Sequence, residues 1–283
     1  MTEYVDIEGG RIAYEAIGAG PLVVLSHGMG DRRQAFRHLA PLLAAAGYRV
    51  VSVDMRGHGE SSTGVPSVTG KEAISRTDVA GDLLAVIHAL GGPAVIVGHS
   101  LSGGAATIAA ATDPAAVRAI VEINPFTRVQ KFDLGALFTV PRYRRGMTRL
   151  MTTMLTKSLR AWLSYLAVAY PTKPADHEQE MAALAATLRE PGRMAEFMKT
   201  GRTTPADAEA LLPHVTRPAL IVMGGADPDF PDPAAEGRAV VAALPAGLGH
   251  SVLVEGAGHY PHAEAAERTA ALVLPFLKEH AGA

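Results

Sequence analysis

At 283 residues the chain is long enough to bury a large core, and 48% hydrophobic against 19% charged residues excludes a disordered polypeptide. A formal net charge of −2 gives no reason to expect nucleic acid or an anionic membrane as a partner. The absence of cysteine excludes a disulfide framework, a thiolate nucleophile and any cysteine-ligated metal. Met1 to Asp6 is acidic without an apolar run, and no stretch reaches the ~18 uninterrupted apolar residues of a membrane helix. The expectation is a soluble, cytoplasmic protein that acts on a small molecule.

Tyr4 to Ile17, with a Gly9-Gly10 turn, reads as an antiparallel hairpin on a sheet edge. Short apolar runs then recur at Leu22 to Leu25, Val50 to Val53, Val95 to Val97, Ala119 to Ile123, Ala219 to Met223 and Ser251 to Val254. Continuous rather than alternating apolarity suits strands buried on both faces of a parallel sheet. Helical patterns separate them. Phe36 to Ala46 joins the first two runs, and Val79, Leu83, Val86, Ile87 and Leu90 mark one face of a helix closed by Gly91-Gly92-Pro93. Ala105 to Ala111, stopped by Asp113-Pro114, follows the third run, and Leu272, Val273, Phe276 and Leu277 stripe a final helix. Alternating strands and helices imply right-handed crossovers and a doubly wound α/β sheet.

The rhythm breaks between residues 127 and 212, where Tyr143 to Tyr170 and His177 to Lys199 have helical patterns with no strand run between them. This reads as a helical insertion covering the carboxyl ends of the strands. It divides the chain into a core of 1–126 and 213–283 and a cap of 127–212. The insertion holds 13 Lys/Arg against 8 Asp/Glu, whereas the remainder holds 13 against 20. Two readings compete: a solvated basic helix face carrying Arg142, Arg144, Arg145 and Arg149, or a cap whose field draws in an anionic substrate.

Gly98-His99-Ser100-Leu101-Ser102-Gly103-Gly104 lies between an apolar strand and an alanine-rich helix. A serine hydroxyl becomes a useful nucleophile when a sharp strand-to-helix turn presents its Oγ clear of the backbone, which requires small neighbours. Gly98 and Ser102 are those neighbours, with serine standing where the G-x-S-x-G pattern has its last glycine. Ser26-His27-Gly28-Met29-Gly30 follows the Leu22 strand. The tetrahedral oxyanion of acyl transfer needs two donors already in place, and the amides of Met29 and Leu101 are the expected pair. His27 reads as structural.

These stretches, together with Asp54-Met55-Arg56-Gly57-His58-Gly59-Glu60-Ser61-Ser62, resemble the α/β-hydrolase superfamily in its serine-nucleophile branch with a helical cap. The resemblance spans nearly the whole chain outside the cap. It implies a mostly parallel α/β-hydrolase sheet with the cap inserted after the sixth strand. It also implies the order serine, acid, histidine. Asp227, in Gly224-Gly225-Ala226-Asp227, matches the family's acid, and Asp229 is the alternative. His259, in Gly256-Ala257-Gly258-His259, matches the base, on a flexible loop from which it can swing onto Ser100. His262 reads as a surface or cap contact, and Asp54 and His58 as structural.

The implied chemistry is hydrolysis of a carboxylic ester or lactone through an acyl-enzyme on Ser100, with no metal or organic cofactor. An aspartate at position 100 would instead point to epoxide or haloalkane hydrolysis. Carbon–carbon bond hydrolysis, perhydrolysis and acyl transfer use the same triad and stay open, and a non-catalytic receptor is the reading from a different class. Met151, Trp162 and Tyr165 are the expected lining of an apolar acyl pocket, in a stripe that includes Met147, Met154, Leu155 and Leu166.

Overall fold

Along the central strands, side chains part alternately to the two faces of the sheet, and this builds the core. Val24, Val51, Ile96, Ile120 and Ile221 enter one apolar cluster, while their chain neighbours Val23, Val50, Val95, Val121 and Leu220 enter the other. Both faces must therefore be covered by helices, which accounts for runs of continuous rather than alternating apolarity.

The computed structural model describes residues 1–282. The chain runs β1 (Glu3–Ile7), β2 (Gly10–Ile17), β3 (Leu22–Ser26), α1 (Leu39–Ala45), β4 (Arg49–Val53), α2 (Arg76–Ala89), β5 (Ala94–His99), α3 (Leu101–Thr112) and β6 (Val117–Ile123). Next come α4 (Leu134–Thr139), α5 (Pro141–Thr156), α6 (Leu159–Ala169), α7 (His177–Arg189), α8 (Arg193–Thr200) and α9 (Ala206–Leu211). β7 (Ala219–Gly224), α10 (Pro233–Ala243), β8 (Gly249–Val254), α11 (Pro261–Glu264) and α12 (Ala266–His280) complete it.

The sheet order is β1-β2-β4-β3-β5-β6-β7-β8, with β1 and β2 antiparallel and every pairing from β4 onward parallel. The hairpin and all six apolar runs become strands of this doubly wound sheet. The helices differ in detail. The first is shortened because Arg33–Phe36 forms a separate 3-10 turn. Tyr143 to Tyr170 is two helices, broken where Lys157 adopts a left-handed φ of 51°. His177 to Lys199 is likewise divided, at Pro191-Gly192, where Pro191 cannot continue the ladder. α10 has a local cause in Asp232, whose side chain accepts from Ala235 N at 2.9 Å, followed by Pro233 at the first helical position.

The helices between β6 and β7 share an apolar cluster of their own, including Trp162, Tyr165, Leu184 and Phe197, which extends to Tyr260 after β8. Two polar contacts fix them over the loops that leave the sheet. Trp162 Nε1 donates to Gly30 O at 3.1 Å, and Tyr165 Oη donates to Asp229 Oδ2 at 2.6 Å.

Candidate active site

β5 ends at His99 and α3 begins at Leu101, so Ser100 alone makes the turn, with φ 55° and ψ −115°. Such a conformation is sparsely populated for a non-glycine residue and persists only where the surroundings over-determine it. Here the Ser100 N–H donates to Ile123 O at 2.9 Å and its carbonyl accepts from Phe126 N at 3.1 Å. Helix and strand approach so closely that a Cβ on Gly98 would sit 2.1 Å from Ser102 O. Ser102 fits without displacing the turn, and its hydroxyl does work a glycine cannot. It lies 2.9 Å from Ser26 Oγ and 2.6 Å from His27 O, tying α3 to the end of β3.

Leu101 opens α3, so its N–H has no intrahelical partner. Met29 lies on the loop after β3, and that loop is held from the β4 side. Gly30 N donates to His58 Nε2 at 3.1 Å, and Met55 N donates to His27 Nε2 at 3.1 Å. Asp54 accepts from Arg33 N at 2.7 Å and Glu60 N at 2.9 Å, and it pairs with the Arg33 guanidinium. His27, Asp54 and His58 are thus supports of the loop.

Asp227 follows β7 and His259 follows β8, and His259 Nδ1 lies 2.8 Å from Asp227 Oδ2. Asp229 Oδ2 is 3.5 Å from the same nitrogen, while Asp229 N donates to Asp227 Oδ1 at 2.8 Å. Asp227 therefore makes the direct bond and Asp229 supplies a second negative charge. The His259 loop is pinned, unlike the flexible loop expected from sequence. His259 N donates to Ala169 O at 2.9 Å, its carbonyl meets His99 Nε2 at 2.8 Å, and Gly258 N donates to Glu264 Oε1 at 2.9 Å. Asn124 joins the two loops, accepting from Gly224 N at 2.7 Å and donating to Gly258 O at 2.9 Å. His262 is fully buried rather than at a surface, its ring 4.7 Å from Phe36 and 4.5 Å from His99, because α11 turns it under the site.

Burial opposes charge on the His259 ring, but the Asp227 and Asp229 carboxylates outweigh it and push its pKa up to about 9. Burial also raises Asp229, to about 6, against the pull of His259 and the Tyr165 hydroxyl. Among the described residues Ser100 Oγ makes no hydrogen bond to His259; the two line one cavity, and this link often tightens only when substrate binds. Asp227, Asp229 and His259 also form the one group of His and carboxylate side chains, among the described residues, whose atoms converge within 4.8 Å in a metal-like cluster. The His259–Asp227 bond already engages those atoms.

The cavity holds about 120 Å³ within a cleft that opens to solvent, and Met29, Arg76, Leu101, Phe126, Leu150, Trp162 and Tyr165 line it with the two catalytic candidates. Of the three residues expected to line an acyl pocket, Trp162 and Tyr165 lie on the wall of this cavity. Met151 does not. It is 49% exposed, and Leu155 is 79% exposed, because α5 turns Tyr143, Gly146, Leu150 and Thr153 inward and its next residues out. Arg142 also departs from a solvated basic face. Its guanidinium donates to the carbonyls of Asp227, Phe230 and Pro231 at 2.9, 2.6 and 2.9 Å, clamping the acid loop. Neither Arg142 nor Arg76 carries a local sequence signal for its position, since their partners lie at least 50 residues away in the chain.

A strand-turn-helix serine, an acid after β7 and a histidine after β8 on this sheet define a hydrolase scaffold. The chain belongs to the α/β-hydrolase family, whose model, described as "Alpha/beta hydrolase family", matches residues 23–272. It is 31% identical to a 2-(acetamidomethylene)succinate hydrolase of Mesorhizobium japonicum over 79% of this chain and 77% of that one. It is also 26% identical to epoxide hydrolase A of Mycobacterium tuberculosis over 96% of each chain. Among solved structures, an esterase from Thermogutta terrifontis aligns with a TM-score of 0.72 at 21% identity, covering 99% of this chain and 98% of the other. That structural likeness concerns the fold.

Proposed function

We propose that this hydrolase cleaves a carboxylic ester or lactone through an acyl-enzyme on Ser100, with His259 as base and Asp227 as orienting acid. Ser100 Oγ attacks the carbonyl carbon while His259 Nε2 takes its proton. Asp227 holds His259 Nδ1–H and stabilises the imidazolium. The oxyanion accepts from Met29 N–H and Leu101 N–H, each such donor being worth about a hundred- to a thousandfold in rate. His259 returns the proton to the departing alkoxide, and a water deprotonated by the same ring then releases the acid.

The observation that carries this reading is the strained Ser100 turn opening on one cavity with a His259–Asp227 pair. Serine at the nucleophile position separates it from the aspartate chemistry of epoxide opening. Residues 127–212 act in this reading as a cap that shapes the pocket. The name of the 31%-identical relative, a hydrolase of a substituted succinate, supports extending the substrate search from apolar esters to small acids.

The test is hydrolysis of p-nitrophenyl esters from acetate to palmitate, with Ser100→Ala protein as the blank. Ser100-dependent turnover is expected, with the preferred chain length reporting the depth of the pocket. Turnover that survives in Ser100→Ala protein overturns the reading.

A further inference from the structure

Arg76 is the first residue of α2, set there by Ser75, whose side chain caps Asp78 N while Asp78 caps Ser75 N in return. The helix start delivers its guanidinium to the wall of the cavity that holds Ser100. Arg76 is 5% exposed, and among the described residues its single hydrogen bond runs from Nε to Phe126 O at 2.7 Å. Phe126 N in turn donates to the Ser100 carbonyl, so one residue's backbone links the arginine to the nucleophile turn. Nη1 is buried with no partner.

Asp207 acts on the guanidinium only through its charge, without a hydrogen bond. Asp207 accepts from Thr77 N and Thr77 Oγ1 at 3.3 and 3.0 Å, and it forms no ion pair with Arg76. The acid on the cavity wall, Asp229, faces His259 and Tyr165. Space for the arginine comes from Gly104, the second glycine behind the nucleophile. A Cβ on Gly104 would sit 2.7 Å from Arg76 Cδ and 3.0 Å from its Nε.

A guanidinium stays protonated in proteins, and a buried charge is costly unless paired. Burial lowers the Arg76 pKa to about 10, with Asp207 pulling the other way, which leaves the group charged at neutral pH. Nη1 is therefore a charged, buried donor without a partner in a residue that lines the Ser100 cavity, and a carboxylate is a group that satisfies it. The helices above the site add a second, independent feature: their segment, 127–212, is the basic part of an otherwise acidic chain.

We propose that Arg76 is the anion-binding, specificity-determining residue of this cavity, and that the substrate carries a carboxylate remote from the bond that is cleaved. The inference rests on the cavity being the substrate site and deepens the ester or lactone reading.

Trp162 is the sole tryptophan of the chain and lines the cavity, so its fluorescence reports occupancy without turnover. The experiment titrates Ser100→Ala protein with monomethyl glutarate, an anion, and with dimethyl glutarate, its neutral counterpart. The anion is expected to saturate at a concentration at least about tenfold lower, the scale of one charge-assisted hydrogen-bond pair. Arg76→Met in the same background is expected to abolish that ratio, and Arg76→Lys to retain part of it. Equal or tighter binding of the diester to Ser100→Ala protein overturns the proposal even if Arg76→Met fails to fold. So does an unchanged ratio in folded Arg76→Met protein. Failure of the esterase reading registers separately, as absence of Ser100-dependent turnover on either type of ester.

Discussion

The loops at the ends of β5, β7 and β8 and the helices between β6 and β7 meet at one cavity but are built by different rules. Each loop carries its chemistry in a short contiguous stretch attached to a buried strand. Ser100, Asp227 and His259 are placed by the strand ends and held by backbone hydrogen bonds to Ile123, Phe126 and Ala169 and by Asn124. The helices place side chains by rotation about their axes, so one residue's slip moves a side chain from cavity to solvent. Leu150 lines the cavity while Met151, next in the chain, is half exposed. In the proposed reading the strand ends determine which bond-breaking chemistry is possible, and the helices, together with Arg76, determine what fits.

The largest effect expected from breaking this division is on the strand side. Ser100→Ala is expected to lower kcat by about a millionfold, the scale seen when a triad nucleophile is removed. Asp227→Asn is expected to cost about ten-thousandfold, through the wrong imidazole tautomer, with the fold unchanged by circular dichroism.

On the helical side, Trp162→Ala removes a ring that is 1% exposed and is expected to cost about 3–5 kcal/mol in denaturant unfolding. The surviving activity should favour bulkier acyl chains.

Asp229→Asn sharpens the comparison further, because Asp229 touches both regions through His259 and Tyr165. His259 acts as a base only when neutral, and two carboxylates raise its pKa to about 9. The kcat/KM profile is therefore expected to climb as pH rises from 7 toward 9. Removing one negative charge lowers the imidazolium pKa, so in Asp229→Asn the rising limb should move to lower pH, and a limb at higher pH contradicts this. The loss at the optimum should stay within about tenfold, the scale of a one-unit shift. Smallest of all, Met151→Ala should leave stability within about 0.5 kcal/mol and the ester preference unchanged.

The same contrast explains what was legible from sequence. The six strand runs, the hairpin and the serine turn are readable because buried strands and tight turns leave local signatures in apolar runs and glycines. The inward face of α5 was not, since methionine and leucine occupy both its exposed and its buried sides. Arg142 reads as part of a basic run, yet it ends on the acid loop through carbonyls 85 to 89 residues away. Arg76 likewise acquires its meaning only when Phe126, 50 residues on, closes over it. Ser102 was legible as a small residue, but its hydrogen bonds to Ser26 and His27 needed two strands to come together.

The most direct test of the account is treatment of the whole protein with a fluorophosphonate, followed by mass spectrometry of its peptides. The account predicts one adduct, on Ser100, formed faster as pH rises through the His259 range and absent from Ser100→Ala protein. An unmodified Ser100, or loss of activity through an adduct elsewhere, would contradict it.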